Sequence, residues 1–242
     1  MAFEMALDAS DFLKRTGDLL QRQLPQIEVW ALNWTADDAL DALKDRMQVQ
    51  FDRPTRWTLG AFQVWRATKT DRTAKVQEKP SVGRRHYLKV QNQGGGRPQT
   101  GIEKLIDQHV VSAQILRTVI PATGGPFEGA RLDAYGNWSR GERNQVLSQL
   151  QAQRDGTANT TQRSARRARN RARYFVPKHG LAPGVYRRNA PDDIPVRVLK
   201  FSDKVPTYTP VLEFEGTVAA IYRDRLGINL RRAFDRALAT SR

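Results

Sequence analysis

The sequence has no cysteine among its 242 residues, so disulfide bonds and thiolate metal sites are excluded. It also lacks a run of about 18 apolar residues, which a transmembrane helix would require. The first eight residues, Met-Ala-Phe-Glu-Met-Ala-Leu-Asp, carry two acids and no basic group, which argues against a secretory signal. We therefore expect a protein made and used inside a cell, or in something assembled there, with no membrane partner.

Residues suited to catalysis are also scarce. The three histidines, His86, His109 and His179, have no second histidine at metal-ligand spacing. There is no Gly-x-Ser-x-Gly elbow, and no Gly-Lys-Ser/Thr follows the glycines at 94–96, which favours an ordinary turn over a phosphate-binding loop. The sequence thus predicts no catalytic set, no cofactor and no metal site. A divalent ion held by Glu103 and Asp107, as in a nuclease, is the weakest alternative.

Acidic residues are absent from Gly156 to Pro191, although the same segment has nine lysines and arginines. Over the whole chain, 40 basic residues face 25 acidic ones, so this segment supplies nine of the net fifteen positive charges. Such a block favours an anionic partner, either nucleic acid or an acidic protein surface. Its central arginines are Arg163, Arg166, Arg167, Arg169, Arg171 and Arg173.

Residues 154–170 are polar, with almost nothing to bury, which predicts a flexible basic arm or a long loop over about 154–173. On a helix, arginines at this spacing would point to every side. Such a distribution suits contact with phosphates, for which charge matters and the register of the segment does not. A merely solvated loop is the alternative. Tyr174 and Phe175 could stack on bases, but the pattern favours the first inward residues of a strand.

The two ends of the chain show helical spacing. Asp8 or Ser10 can cap a first helix that Pro25 ends or kinks, and a second helix can start at once, with a restart near Thr35. After Pro210, apolar residues recur every three to five positions, which predicts a helix over 213–240 with that series on its core side. We expect the helices of residues 9–50 to pack against it. The series is Phe214, Val218, Ile221, Tyr222, Leu226, Leu230, Phe234 and Leu238.

The middle of the chain alternates between strand and turn patterns. Strands are predicted near 57–64, 73–77, 86–91, 116–120, 174–176, 184–187 and 196–201. Helices are predicted at 100–111 and after Ser139, which has capping-box spacing to Glu142. The result is an α+β fold with a mixed, mostly antiparallel sheet of about five or six strands flanked by N-terminal and C-terminal helices. We expect a helical region over 1–50 and an α+β domain over 51–242.

Six segments between residues 51 and 210 carry a family resemblance when they are taken in order. They are FDRPT at 51–55, WTLGAF at 57–62, YL at 87–88 with Gly94, Gly95 and Arg97, LDAYGNWSRG at 132–141, GVY at 184–186 and YTP at 208–210. Together they resemble a family of tailed-bacteriophage virion proteins, often labelled minor tail, neck or tail-completion proteins. The resemblance covers most of residues 51–240.

The resemblance implies a structural subunit, not an enzyme, that joins a ring at the junction of head and tail or at the top of the tail tube. Implied partners are copies of itself, other neck, portal or adaptor and tail proteins, and packaged DNA through the basic arm. The implied location is the virion, assembled in the host cytoplasm. A nucleic-acid-binding module that uses the same arm is the alternative function. The expected subunit interface is Phe214, Ile221, Tyr222, Leu230 and Phe234.

Overall fold

The computed structural model of the chain describes residues 17, 23–83, 87–110, 116–167 and 172–240. The chain divides into a helical unit, residues 1–84 with 211–242, and a sheet unit, residues 85–210. This division differs from the boundary expected at residue 50, because the last helix joins the unit that contains the N-terminal helix. The predicted helix that starts at Asp8 or Ser10 lies almost entirely outside the described residues.

The described ranges contain eight helices, one 3₁₀ turn at Gly156–Ala158 and eight strands. In chain order they are α1 Leu24–Gln50, α2 Arg56–Leu59, β1 Phe62–Trp65, β2 Lys75–Glu78, α3 Pro80–Gly83, α4 Tyr87–Gln93, β3 Gly95–Gly96, α5 Gly101–His109, β4 Thr118–Pro121, α6 Arg140–Gln149, α7 Gln162–Arg167, β5 Arg173–Phe175, β6 Gly184–Arg188, β7 Val196–Ser202, β8 Thr207–Tyr208 and α8 Phe214–Thr240.

Helix α1 begins beside Pro25, as proline's fixed φ and missing N–H favour. The predicted restart at Thr35 is wrong, since α1 continues unbroken to Gln50. The Thr35 hydroxyl donates to the carbonyl of Ala31 at 2.8 Å, so it bonds within the helix and caps nothing.

Helices α1 and α8 pack against each other, as the sequence predicts. Thr35 meets Asn229, and Arg46 forms an ion pair with Glu213 at 2.7 Å, so the two helices run in opposite directions. Their buried contact is formed by Ile27, Ala31, Ala233 and Ala237. Because three of these four side chains are alanines, the two backbones can approach closely.

Ala233 is fully buried in this contact, so A233L is expected to lower the free energy of unfolding by about 1–3 kcal/mol through overpacking. Urea unfolding followed by tryptophan fluorescence measures the effect, because Trp30 and Trp34 pack beside the contact. A219L adds the same side chain at an exposed position of α8 and should leave stability nearly unchanged. Equal effects of the two substitutions would contradict the close packing.

The helical unit also contains the hairpin β1–β2, paired antiparallel from Phe62 opposite Glu78 to Trp65 opposite Lys75. The strand predicted from residue 57 is wrong in its first part, since residues 56–59 form α2, whose backbone is capped by the Thr55 hydroxyl. The side chain of Asn33 bonds both the N–H and the carbonyl of Ala67, which ties α1 to the chain after β1.

The sheet unit is built on a four-stranded antiparallel sheet with strand order β4-β7-β6-β5. Its core joins side chains of the sheet to those of α5 and α6: Ile106, Val146, Leu147, Tyr174, Val185, Val198 and Leu199. The predicted α+β class, with mostly antiparallel strands and a helix near each end, is confirmed. The described strands form three sheets, because β1–β2 and β3–β8 pair separately.

Two local predictions in the sheet unit are wrong. Residues 87–93 form helix α4, not a strand, and bury Leu88 and Val90. Ser139 makes no side-chain cap at α6, whereas a complete capping box forms between Thr100 and Glu103 at α5. Glu142 is unavailable for a cap because tertiary partners hold its carboxylate, as described below.

Glycine at two positions permits close backbone approach. A β-carbon on Gly184 would collide with the carbonyl of Leu199, next to a register shift between Val185 and Tyr186. Gly94 has φ +75°, and a β-carbon there would lie 2.9 Å from Cδ of Pro210. Gly95 and Gly96 form β3 and pair with β8, so this segment is more than an ordinary turn.

Candidate functional site

Helix α8 presents a different face to the core from the one that its apolar spacing predicts. Its buried residues are Asn229, Ala233 and Ala237, whereas Leu230 and Phe234 are exposed. The amide of Asn229 donates to Thr35 Oγ1 at 3.2 Å and to Asp38 Oδ2 at 2.9 Å, so a polar group sits inside the helix contact. Small side chains, which allow close packing, therefore occupy the core side of α8 in place of the larger apolar ones.

The five residues predicted as a subunit interface differ in how far they are exposed. Phe214 stacks on Phe62 at 5.1 Å within the helical unit, and Ile221 is half-buried. Tyr222, Leu230 and Phe234 remain 51%, 44% and 39% exposed. We call these three the apolar ridge; they lie at spacings of eight and four residues along α8.

Arginine side chains of α8 also lie over tryptophan rings of α1. The guanidinium of Arg232 lies 4.5 Å from the ring centre of Trp34, and that of Arg236 lies 4.5 Å from the ring centre of Trp30. The two tryptophans are themselves stacked. Two arginines that the sequence places on the solvent side of α8 therefore take part in packing.

A second exposed apolar surface lies in the sheet unit. Phe127, Leu181 and Ile194 are exposed around a groove of about 450 Å³ that Tyr186 and Pro195 also line. We call it the apolar groove. Sequence patterns did not reveal it, since its residues come from three separate loops and two strands.

The arginine segment is partly ordered where the structure describes it. Residues 156–158 form the 3₁₀ turn and residues 162–167 form α7, so the expected long arm without structure is not seen in this part. Arg163, Arg166, Arg167 and Arg173 are exposed and make no ion pair within the described ranges. Arg169 and Arg171 lie outside the described residues.

Of the aromatic pair after this segment, Tyr174 points into the core, as the favoured interpretation predicts, whereas Phe175 is only partly buried and is not part of that core. Tyr174 is buried in the core of the sheet unit, and its hydroxyl donates to Glu142 Oε1 at 3.1 Å. Burial and the Glu142 carboxylate raise the pKa of Tyr174. Phe175 stacks on Tyr186 and lies under the Arg188 guanidinium. The Tyr174 ring is therefore not available for stacking on a base, and the Phe175 ring already has protein partners.

Glu142 is the centre of a buried polar network that the sequence did not reveal. Its carboxylate accepts from Arg187 Nη1 at 2.6 Å, Trp138 Nε1 at 3.0 Å and the N–H of Arg131 at 2.7 Å, besides Tyr174. The Glu142 side chain is fully buried and that of Arg187 nearly so. The one local signal was Trp138, which lies four residues before Glu142 in the sequence.

Glu103 is also committed to protein partners. Arg97 donates two hydrogen bonds to its carboxylate, and the N–H groups of Thr100 and Val119 donate as well. Burial works to raise the pKa of Glu103, but these hydrogen bonds outweigh it and lower the pKa to about 2. Asp107 accepts from the N–H of Leu116. Both carboxylate oxygens of Glu103 are therefore occupied by protein donors, which weighs against a divalent ion held by this pair.

Metal-ligating residues do not gather in the described ranges, where no three His, Asp or Glu side chains form a group able to hold an ion. His109 ends α5, His179 lies in a loop, and His86 is outside the described residues. None of the described helices combines the length and apolar character needed to span a bilayer.

No match to known proteins was found. The search covered models of protein families, curated proteins and solved structures.

Proposed function

We propose that this chain is a structural subunit of a bacteriophage virion, located at the head-to-tail junction as a neck, tail-completion or minor tail protein. It acts through assembly with copies of itself and with other neck, portal or adaptor and tail proteins, without catalysis. The order of the six segments between residues 51 and 210 supports the virion part of this proposal. The apolar ridge of α8 supports the assembly part.

The exposure of the apolar ridge is the main structural support for this proposal. One side of α8 is already buried against α1, yet Tyr222, Leu230 and Phe234 stay exposed on the same helix. Exposed apolar side chains on a helix that already packs against the core are stabilised when another surface covers them. The gain is about 25 cal/mol per Å² of apolar area buried. Assembly provides that cover.

The apolar groove of the sheet unit supplies a second surface of a different shape. The ridge consists of side chains that project from a helix, whereas the groove is a concavity lined by Phe127, Leu181 and Ile194. Because the two surfaces are not equivalent, a contact between the ridge of one copy and the groove of the next is heterologous. Repeated heterologous contacts close into a ring when the rotation between copies permits it.

The test is the mass of the purified full-length protein in solution, measured by light scattering and native mass spectrometry at low and high salt. We expect a closed oligomer, either alone or after mixing with head-to-tail extracts of virions, that persists at high salt because apolar contacts are not screened. The double variant L230N/F234N should stay monomeric with an unchanged circular dichroism spectrum.

The matched control is V49N, which removes an apolar side chain that is 80% exposed on α1 but lies outside the ridge. It should assemble like the wild type. Loss of assembly in V49N as well, or unaltered assembly of L230N/F234N, would rule out the ridge. A wild-type monomer that does not bind virion proteins but binds nucleic acid, and releases it as the salt concentration rises, would favour the alternative function.

A further inference from the structure

A polar cleft in the sheet unit lies between α6, the segment 156–166 and β5. Its volume is about 1340 Å³, and guanidinium, amide and hydroxyl groups line it together with apolar atoms that cover a similar area. We call it the arginine cleft. Its lining includes Arg131, Asn144, Gln145, Ser148, Arg166 and Arg173.

Hydrogen bonds to α6 hold the walls of this cleft. Ser148 Oγ donates to the carbonyl of Ala158 at 2.8 Å, and Gln151 Nε2 donates to the carbonyl of Thr160 at 2.8 Å. Gln149 bonds the carbonyl of Ala172 and the N–H of Tyr174, which ties β5 to the same helix. The cleft is therefore built from fixed backbone, although its sequence reads as a mobile arm.

The charge of the cleft is positive and uncompensated. Arg166 and Arg173 form no ion pair within the described ranges, and Arg131 reaches Glu142 only at 3.9 Å. Glu142 is fully buried and already held by Arg187, while Asp155 accepts from the N–H and hydroxyl of Thr157. No Asp or Glu is among the described residues that line the cleft, so the lining itself carries a net positive charge.

The lining also indicates the class of anion. Guanidinium, amide and hydroxyl groups are the donors that proteins use to contact phosphate and sugar oxygens of nucleic acids. Tyr174 is the one aromatic residue of the lining, and its ring is buried, so bases find no stacking platform. An acidic protein partner would need an apolar contact core. None of the large apolar side chains that are exposed in the described part of this unit lines the cleft, and three of them lie at the apolar groove.

We infer that the arginine cleft binds the phosphodiester backbone of nucleic acid without reading its sequence. Arg131, Arg166 and Arg173 contact phosphates, and the amides of Asn144 and Gln145 contact phosphate or sugar oxygens. This inference goes beyond the assembly role and does not depend on it, because the cleft belongs to one copy of the chain.

The test measures binding of fluorescein-labelled duplex DNA and single-stranded DNA of unrelated sequences to the full-length protein over a range of salt concentrations. For R166Q/R173Q we expect affinity to fall roughly tenfold or more. The slope of log K against log salt should become shallower by about one for each arginine removed. A preference for duplex or for single strand identifies the natural form of the ligand, and either supports the inference.

The matched control is R117Q/K178Q, which removes two exposed positive charges of the same unit outside the cleft lining. It should bind nearly as the wild type does. Equal loss in both double variants would mean that net charge alone attracts DNA, which overturns the cleft. No binding by the wild type, or competition by polyglutamate as strong as that by unlabelled DNA, overturns it too. Unfolding curves establish that each variant is folded, and oligomeric mass is measured separately, so failure of the assembly proposal remains distinguishable.

Discussion

Replacing Glu142 by alanine is expected to lower the free energy of unfolding by about 3–5 kcal/mol, the usual consequence of breaking a buried ion pair. The substitution leaves the nearly buried Arg187 without a counter-charge and removes the acceptor of Trp138 Nε1, Tyr174 and the Arg131 N–H. Guanidinium chloride unfolding, followed by circular dichroism, measures the loss.

Two comparisons show whether the pairing with Arg187 is responsible. E128Q breaks the more exposed pair between Glu128 and Lys200 and should have a much smaller effect. In a double-mutant cycle, E142A/R187A should lose less than the sum of E142A and R187A, because the second substitution removes the uncompensated charge. Strict additivity would show that the two side chains act independently.

Acidification is expected to destabilise the sheet unit through Glu103. Its folded pKa of about 2 lies below its ordinary value of 4.5, so the folded state favours the charged form. The stabilisation is fully present above about pH 4.5 and is lost as pH falls through 2, below which the carboxylate is protonated in both states. Its size is roughly 3 kcal/mol.

The variant E103Q isolates this contribution, because glutamine keeps the size of the side chain but cannot titrate. At neutral pH it should be less stable than the wild type by a similar amount. That difference should shrink between pH 4.5 and 2 as the wild type loses its ion pair with Arg97. The measurement is the free energy of unfolding of both proteins at several pH values. A difference that stays constant down to pH 2 would show that Glu103 does not titrate in this window.

Predictions from the sequence succeeded where one periodic pattern ran over many residues. The helix after Pro210, the start of α1 beside Pro25, and the strands β6 and β7 all follow from spacing and from proline. They failed in short segments: residues 57–59 and 87–91 alternate like strands but form helices, since packing of Leu88 and Val90 outweighs a weak local preference.

The candidate site was predicted in part. The arginines at 163–173 were predicted because they lie in a run without acidic residues, which the sequence shows directly. Arg131 and the amides of α6 were not predicted. These residues join the arginine cleft only because Gln149 and Ser148 fix the following segment and β5 beside α6. That placement depends on hydrogen bonds between residues 10–25 positions apart, which leave no periodic trace.

The α+β class, the long terminal helices and the excess of positive charge follow from composition and spacing, because each depends on neighbouring residues alone. Which face of α8 is buried, which carboxylates are held and which arginines line a cleft depend on partners far along the chain. The apolar period of α8 favoured Leu230 and Phe234 as core residues, yet Ala233 and Ala237 allow α1 to come closer and Asn229 meets Thr35 and Asp38. Close packing and buried hydrogen bonds, which exist only after the helices meet, therefore determined the surface that remains for a partner.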